Sequence, residues 1–155
     1  MGWTTVSKPV TGTYLSKATF GDLVVDDLNY LYALRDEPVW VPINGSVPLV
    51  NGDKAYLRVP AKLNGATIVS VAAACKDPST SGTVELSVKN GATSVLSTNI
   101  TLDASENDTL TAAVPAVINT NEDDVATGDF IEVAVVNAGT GVTYCGVEIV
   151  FRPGD

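Results

Sequence analysis

Cys145-Gly146-Val147-Glu148-Ile149-Val150-Phe151 is the stretch on which the fold turns. Its large apolar residues, with Cys145, occupy every second position, and Gly146, Glu148 and Val150 fill the gaps. Successive side chains on a strand point to opposite faces, so this spacing describes a strand with one dry face and one wet face. The same period recurs where Ile131, Val133 and Val135 alternate with Glu132, Ala134 and Val136. It recurs again where Val84, Leu86 and Val88 alternate with Thr83, Glu85, Ser87 and Lys89. Runs at 55–59, 67–74, 94–101 and 109–114 are rich in β-branched residues and predict further strands, and the β pattern holds from Trp40 onward. Turn chemistry separates the runs: Asn44-Gly45, Asn51-Gly52, Asn64-Gly65, Asp77-Pro78, Asn90-Gly91 and Gly139-Thr140-Gly141. Asn90-Gly91 reads as the tightest hairpin. With no helices between them, the strands predict an all-β fold: an antiparallel β-sandwich of about seven or eight strands with jelly-roll or Greek-key connections.

Upstream of Pro38 the period changes. Phe20, Leu23, Val24, Leu28, Leu31 and Leu34 recur at steps of mainly three and four, which places them on one stripe of a short helix. Thr19 and Asp22 form a weak capping box at its start, and the helix is expected to stop before Pro38. A helix of about 13 residues is marginal alone in water, so its stripe needs a partner surface. The chain therefore divides into a docking arm with a short α-helix, residues 1–37, and a β domain, residues 38–155. The arm's apolar residues exceed what it can bury locally. Trp3, Val6, Pro9, Val10, Tyr14, Phe20, Leu23, Leu28, Tyr30 and Leu31 are the expected interface with another subunit or a larger particle.

Composition excludes several chemistries. The 155 residues hold 18 acidic and 9 basic side chains and no histidine. Without histidine, Ser-His and Cys-His nucleophilic catalysis is excluded and the commonest zinc ligand is missing. A net charge of -9, with no Lys/Arg cluster, repels a phosphate backbone, so no nucleic-acid partner is expected. No segment approaches ~18 apolar residues, and the N-terminus lacks the parts of an export signal, so no membrane partner is expected either. Cys75 and Cys145 sit in apolar strand-like segments, without metal-ligand spacing. Buried free thiols are the first expectation, and a disulfide is the alternative if their strands are neighbours.

Three constellations carry competing readings. Asp103, Glu106, Asp108, Glu122, Asp123, Asp124, Asp129 and Glu132 are unrelieved by any Lys or Arg. Calcium favours oxygen-rich loops, but these spacings match no EF-hand, so turns and solvation are the first reading and no metal or cofactor is expected. Glu85, Glu132 and Glu148 could supply a glycosidase pair only if two carboxyls stood ~5–10 Å apart. Each lies in the wet phase of its strand, so no enzymatic activity is expected. Trp3, Tyr14, Tyr30, Tyr32, Trp40, Tyr56 and Tyr144 could stack on sugars, although most lie near the N-terminus, where packing of the arm is the simpler role.

The run Val59-Pro60-Ala61-Lys62-Leu63-Asn64-Gly65-Ala66-Thr67-Ile68-Val69-Ser70-Val71 is followed by Ser81-Gly82-Thr83, Leu96-Ser97-Thr98 and Asp124-Val125-Ala126-Thr127-Gly128-Asp129. In order and spacing these resemble the C-terminal β-sandwich module of structural proteins from tailed bacteriophages. The Gly2-Trp3 start, Thr11-Gly12-Thr13 and Asp27-Leu28-Asn29-Tyr30-Leu31 resemble the leader that attaches such modules to the particle. The resemblance implies a virion protein, made in the host bacterial cytoplasm, whose arm docks on other virion proteins of the capsid or tail. It supplies no catalytic residues. A homo-oligomer, as a trimer, is the expected assembly. No heptad, collagen-like or β-helical shaft lies between Leu34 and Trp40, so a decoration protein, short spike or adaptor fits better than a long fibre. The alternative is a host-receptor or glycan-binding module acting through the sandwich loops.

Overall fold

A computed structural model describes residues 35–154. They belong to one of two units into which the chain divides, Met1–Leu34 and Arg35–Asp155. The expected helix and all ten expected interface residues lie outside the described residues.

The described chain is all-β. Its strands are β1 (Glu37–Pro42), β2 (Lys54–Arg58), β3 (Ala66–Ala74), β4 (Val84–Asn90), β5 (Thr93–Ser94), β6 (Leu96–Thr98), β7 (Ile100–Leu102), β8 (Val117–Ile118), β9 (Asp124–Val125), β10 (Phe130–Ala138) and β11 (Gly146–Arg152). A single 3-10 turn covers Ala61–Leu63. Four strands form one sheet in the order β1-β11-β3-β9. A second sheet runs β2-β10-β4-β5, with β7 also pairing with β4. A small third sheet joins β6 to β8. Every strand pairing is antiparallel.

The two-residue period decides which side chains are dry. Val147, Ile149 and Phe151 of β11 meet Ile131, Val133 and Val135 of β10 and Val84, Leu86 and Val88 of β4 in one apolar core. Bulges adjust the phase where alternation alone would turn a core residue outward. The register shifts between Val150 and Phe151 where β11 meets β3, so Ile68 and Ala73 both remain buried despite their odd separation. Between Val135 and Asn137 of β10 a second shift leaves Val136 exposed and returns Ala138 to the core.

Outer strand β1 has an edge unsuited to further pairing. The Ile43 amide donates to the Cys145 carbonyl (2.9 Å), continuing the β1–β11 register, so Glu37, Val39 and Val41 turn their backbone groups toward β11. Pro38, Trp40 and Pro42 therefore occupy the edge away from β11, which no described strand pairs, and two of these three have no N–H. Prolines there cost no ladder bond and deny a template to another strand.

Two strand expectations need correction. The run at 94–101 is not one strand: Ser94 and Leu96 lie in separate short pieces, because the Ser94 hydroxyl donates to the Leu96 carbonyl and bends the chain between them. The run at 109–114 forms no strand. Its amides bind local carboxylates instead: Leu110 donates to Asp108 (2.9 Å) and Ala113 to Asp103 (2.9 Å). Side-chain acceptors next to the backbone compete with a ladder, and β-branched composition does not record that competition.

The expected hairpin forms, with Asn90 paired to Thr93 across a Gly91-Ala92 loop. Gly91 has φ 59°, the left-handed value that a type II′ turn needs at its first central residue.

Asn44 ties the loop after β1 to the approach to β11. Its Oδ1 accepts from the Cys145 amide (2.7 Å), and its Nδ2 donates to the carbonyls of Val47 (2.8 Å) and Val142 (3.2 Å). Asn44→Ala would strand the amide of Cys145, a residue only 1% exposed. We expect it to lower unfolding free energy by about 1–3 kcal/mol. A urea titration checks this, and an unchanged midpoint would show that water replaces the amide at no cost.

Candidate functional site

The outer strands β1 and β2 border a groove of about 420 Å³ lined by Trp40, Val41, Pro42 and Ile43 on one side and Lys54, Ala55, Tyr56 and Leu57 on the other. Alternation places Trp40 and Tyr56 here. Val39 and Val41 turn inward on β1, which leaves Trp40 outward and 48% exposed; Ala55 and Leu57 turn inward on β2, which leaves Lys54 and Tyr56 outward. Trp40 packs on a diagonal neighbour across the ladder, Gly146, which is itself paired with Pro42. Its ring lies so close over Gly146 that a Cβ there would overlap it, so glycine provides the seat. Trp40 also lines a smaller hollow of about 190 Å³, with Ala72, Ala73, Ala74, Leu110 and Glu148 among its other residues.

Glu132 of β10 stands opposite Tyr56 in the ladder. Its Oε2 accepts from Lys54 Nζ (2.8 Å) and from the Tyr56 hydroxyl (3.0 Å). The Lys54 hydrogen bond is the main reason the Glu132 carboxyl is held below the usual carboxylate range, with the Tyr56 hydroxyl adding to it. In return, the hydrogen bond to Glu132 raises both the Lys54 ammonium and the Tyr56 phenol above their ordinary values. A phenolate at Tyr56 would sit against a carboxylate, and keeping the proton avoids that repulsion.

Glu132→Gln is therefore expected to let one tyrosine titrate at lower pH than in the native protein, followed by phenolate absorbance across alkaline pH. Superimposable tyrosine titrations would show that the Tyr56–Glu132 contact does not persist in solution. The contact's contribution to stability has the opposite pH sense at the carboxylate. It is fully present above the unfolded carboxyl's pKa and is lost as pH falls through the depressed folded value of Glu132.

The groove presents two aromatic faces beside a cation and an anion. Such a surface can stack on the apolar face of a ring and bind hydroxyls at its rim. Glu132 is ill suited to general-acid work, which needs a raised carboxyl rather than a lowered one. The three glutamates singled out in the sequence are also dispersed. Glu132 pairs with Lys89, four residues along β4 from Glu85, a separation of roughly 13 Å at strand rise. Glu85 accepts from Asn99 (2.7 Å), and Glu148 belongs to the other sheet.

The acidic residues of the 103–132 stretch largely act as turn acceptors. Asp129 accepts from the Ala126 amide (2.9 Å) and from Asn90 Nδ2 (2.9 Å), and these bonds, the backbone one foremost, hold its carboxyl below the usual range. Asp124 accepts from the Thr67 hydroxyl (3.3 Å). Among the described residues no three Cys, Asp or Glu side chains converge as a metal site.

Of the aromatic residues named in the sequence, Trp40 and Tyr56 come together, whereas Tyr144 lies under the Lys76 ammonium, 5.1 Å from its ring centroid. Trp3, Tyr14, Tyr30 and Tyr32 fall outside the described residues. Sequence reasoning missed Lys54. The signal was there in Lys54-Ala55-Tyr56, whose period of two puts the ammonium and the phenol on one wet face. Compared with models of protein families, with curated proteins and with solved structures, the chain matches none.

Proposed function

We propose that this chain is a structural subunit of a tailed-phage particle, whose N-terminal arm docks on capsid or tail proteins and whose β domain is a jelly-roll sandwich projecting as a decoration protein, short spike or fibre subunit. The observation that carries the reading is the strand order. The long strands alternate between the sheets, and the final strand β11 inserts between β1 and β3 while β10 inserts between β2 and β4. We read this order as jelly-roll connectivity, an architecture shared by viral capsid and lectin domains. The sequence resemblance and the division of the chain at Leu34 and Arg35 add support.

The arm residues Trp3, Val6, Pro9, Val10, Tyr14, Phe20, Leu23, Leu28, Tyr30 and Leu31 are the proposed interface, in a homo-oligomer such as a trimer. A specific interface of this kind buries at least about 1,000 Å² in total. Charge repulsion among acidic β domains keeps neighbouring copies apart. The direct test is antibody-gold labelling of intact particles, combined with light scattering of the purified full-length protein. Regular labelling and a multimeric mass are expected. A monomer absent from particles would overturn the proposal.

A second reading, glycan or receptor binding, is favoured by the paired exposure of Trp40 and Tyr56 across one groove. Under this reading, full-length protein binds a defined set of sugars on a glycan array, and Trp40→Ala and Tyr56→Ala each reduce the signal at least tenfold. Unaltered array binding in both variants would remove the groove from consideration.

A further inference from the structure

Neither Cys75 nor Cys145 lines the groove, and their thiols have no part in the contacts described above. The β3–β11 ladder pairs Gly146 with Ala74, and a separate bridge beyond it pairs Asp77 with Thr143. The two cysteines are one step past the Gly146 and Ala74 pair, opposite each other across the strands. Their backbones turn away from one another. The Cys145 amide donates to Asn44 Oδ1 (2.7 Å) and its carbonyl accepts from the Ile43 amide (2.9 Å), whereas the Cys75 amide donates to the Asn107 carbonyl (2.8 Å).

This is the non-hydrogen-bonded type of antiparallel pair, in which Cα atoms approach to about 4.5 Å and side chains lie closest. Disulfides span Cα separations of about 4.4–6.8 Å. Both side chains are buried, and both are free thiols.

We propose that Cys75 and Cys145 are a disulfide-forming pair, closed by a low-molecular-weight disulfide such as oxidised glutathione into one intramolecular bond between the ends of β3 and β11. The Cys75 thiolate attacks oxidised glutathione, forming a mixed disulfide and expelling one glutathione thiolate. The Cys145 thiolate then attacks the Cys75 sulfur and expels the second. The two thiol protons end on the two glutathiones, so the protein loses two electrons and the oxidant gains them.

Burial sets when this occurs. Desolvation raises both thiols, Cys145 to about 12, and the charges of Asp77 and Asp108 raise Cys75 further. Since only the thiolate exchanges, the folded pair reacts slowly, and closure belongs to folding or to opening of the strand ends. Reduced protein would persist in a reducing cytosol, and oxidised protein would form in an oxidising exterior.

The test refolds full-length protein from urea in mixed reduced and oxidised glutathione, then blocks remaining thiols. The proposal expects a chain two hydrogens lighter and a peptide pair joining Cys75 to Cys145 in a non-reduced digest. Closing a loop of about 70 residues is expected to favour folding about a thousandfold, read as a higher urea midpoint that dithiothreitol reverses. Cys75→Ala and Cys145→Ala should each abolish the cross-link and the reversible midpoint shift. Two blocked thiols after refolding, glutathione adducts without a cross-link, or a cross-linked chain no more resistant to urea than the reduced one would each overturn it.

Discussion

Replacing Phe151 with alanine is expected to lower the unfolding free energy by about 3–5 kcal/mol, the range for emptying a fully buried aromatic site. Among the described residues, Phe151 is the largest fully buried side chain. It sits on β11, the strand inserted between β1 and β3, at the point where the register shifts to place it opposite Ile68. The ring is fully buried and its strand is paired on both sides, so the backbone has little freedom to collapse into the space left behind. Domains of this size have total stabilities of about 5–15 kcal/mol, and the variant would keep only part of that. Phe130→Ala is the internal comparison. Phe130 is 55% exposed on β10, and its loss should change stability by no more than about 0.5 kcal/mol. Urea titrations of both variants decide the matter. A Phe151→Ala cost below about 1 kcal/mol would mean that the two sheets do not close on this residue.

Gly139→Ala is expected to be the most damaging of the glycine substitutions, at about 2–4 kcal/mol, from the conformational and packing costs together. Gly139 has φ 59°, in the left-handed region, so any Cβ there is strained. That Cβ would also overlap the Ser79 hydroxyl and stand 2.9 Å from Ser79 Cβ and 3.1 Å from the Gly82 carbonyl oxygen. Ser79 cannot simply swing away. It is 1% exposed, its hydroxyl proton is shared between the carbonyls of Ser81 and Gly82 (both 2.7 Å), and its oxygen accepts from the Thr140 amide (3.0 Å). The pair therefore fastens the loop before β4 to the turn between β10 and β11.

Gly141 separates the two contributions. Its φ is 79°, but nothing lies within 4 Å of a Cβ built there, so Gly141→Ala carries only the backbone cost of about 1–2 kcal/mol. A double-mutant cycle with Ser79→Gly should restore part of the Gly139→Ala loss, because it removes the atoms in collision. Equal effects at Gly139 and Gly141 would argue against the close approach.

Much of the fold was legible because strand alternation is a local property. The phases of β4, β10 and β11 follow from their apolar residues, and the turns at Asn51-Gly52, Asn64-Gly65, Asn90-Gly91 and Gly139-Thr140-Gly141 occur where glycine adopts positive φ. The 109–114 run was misread because Asp103 and Asp108 bind its amides, a competition absent from composition. Strand β1 is legible in the sequence only from Trp40 because Glu37 and Pro38 weaken the β signal, yet Pro38 fits a position that faces away from β11 and gives it no N–H. The candidate groove was less legible. Trp40 and Tyr56 are sixteen positions apart on strands of different sheets, so no spacing rule brings them together.

The amino-acid order by itself determined the local quantities: the wet and dry face of each long strand, the sites of the turns, the acidic charge and the absence of imidazole chemistry. Tertiary structure alone decided which strands became neighbours. It set β11 beside β1 across more than a hundred residues, brought Cys75 opposite Cys145, and placed Glu132 between Lys54 and Tyr56. The physical reason is one of range. A strand's period is written in adjacent residues, whereas its partner is chosen by burying both inner faces together, and many sequence pairs satisfy that condition until the whole core closes.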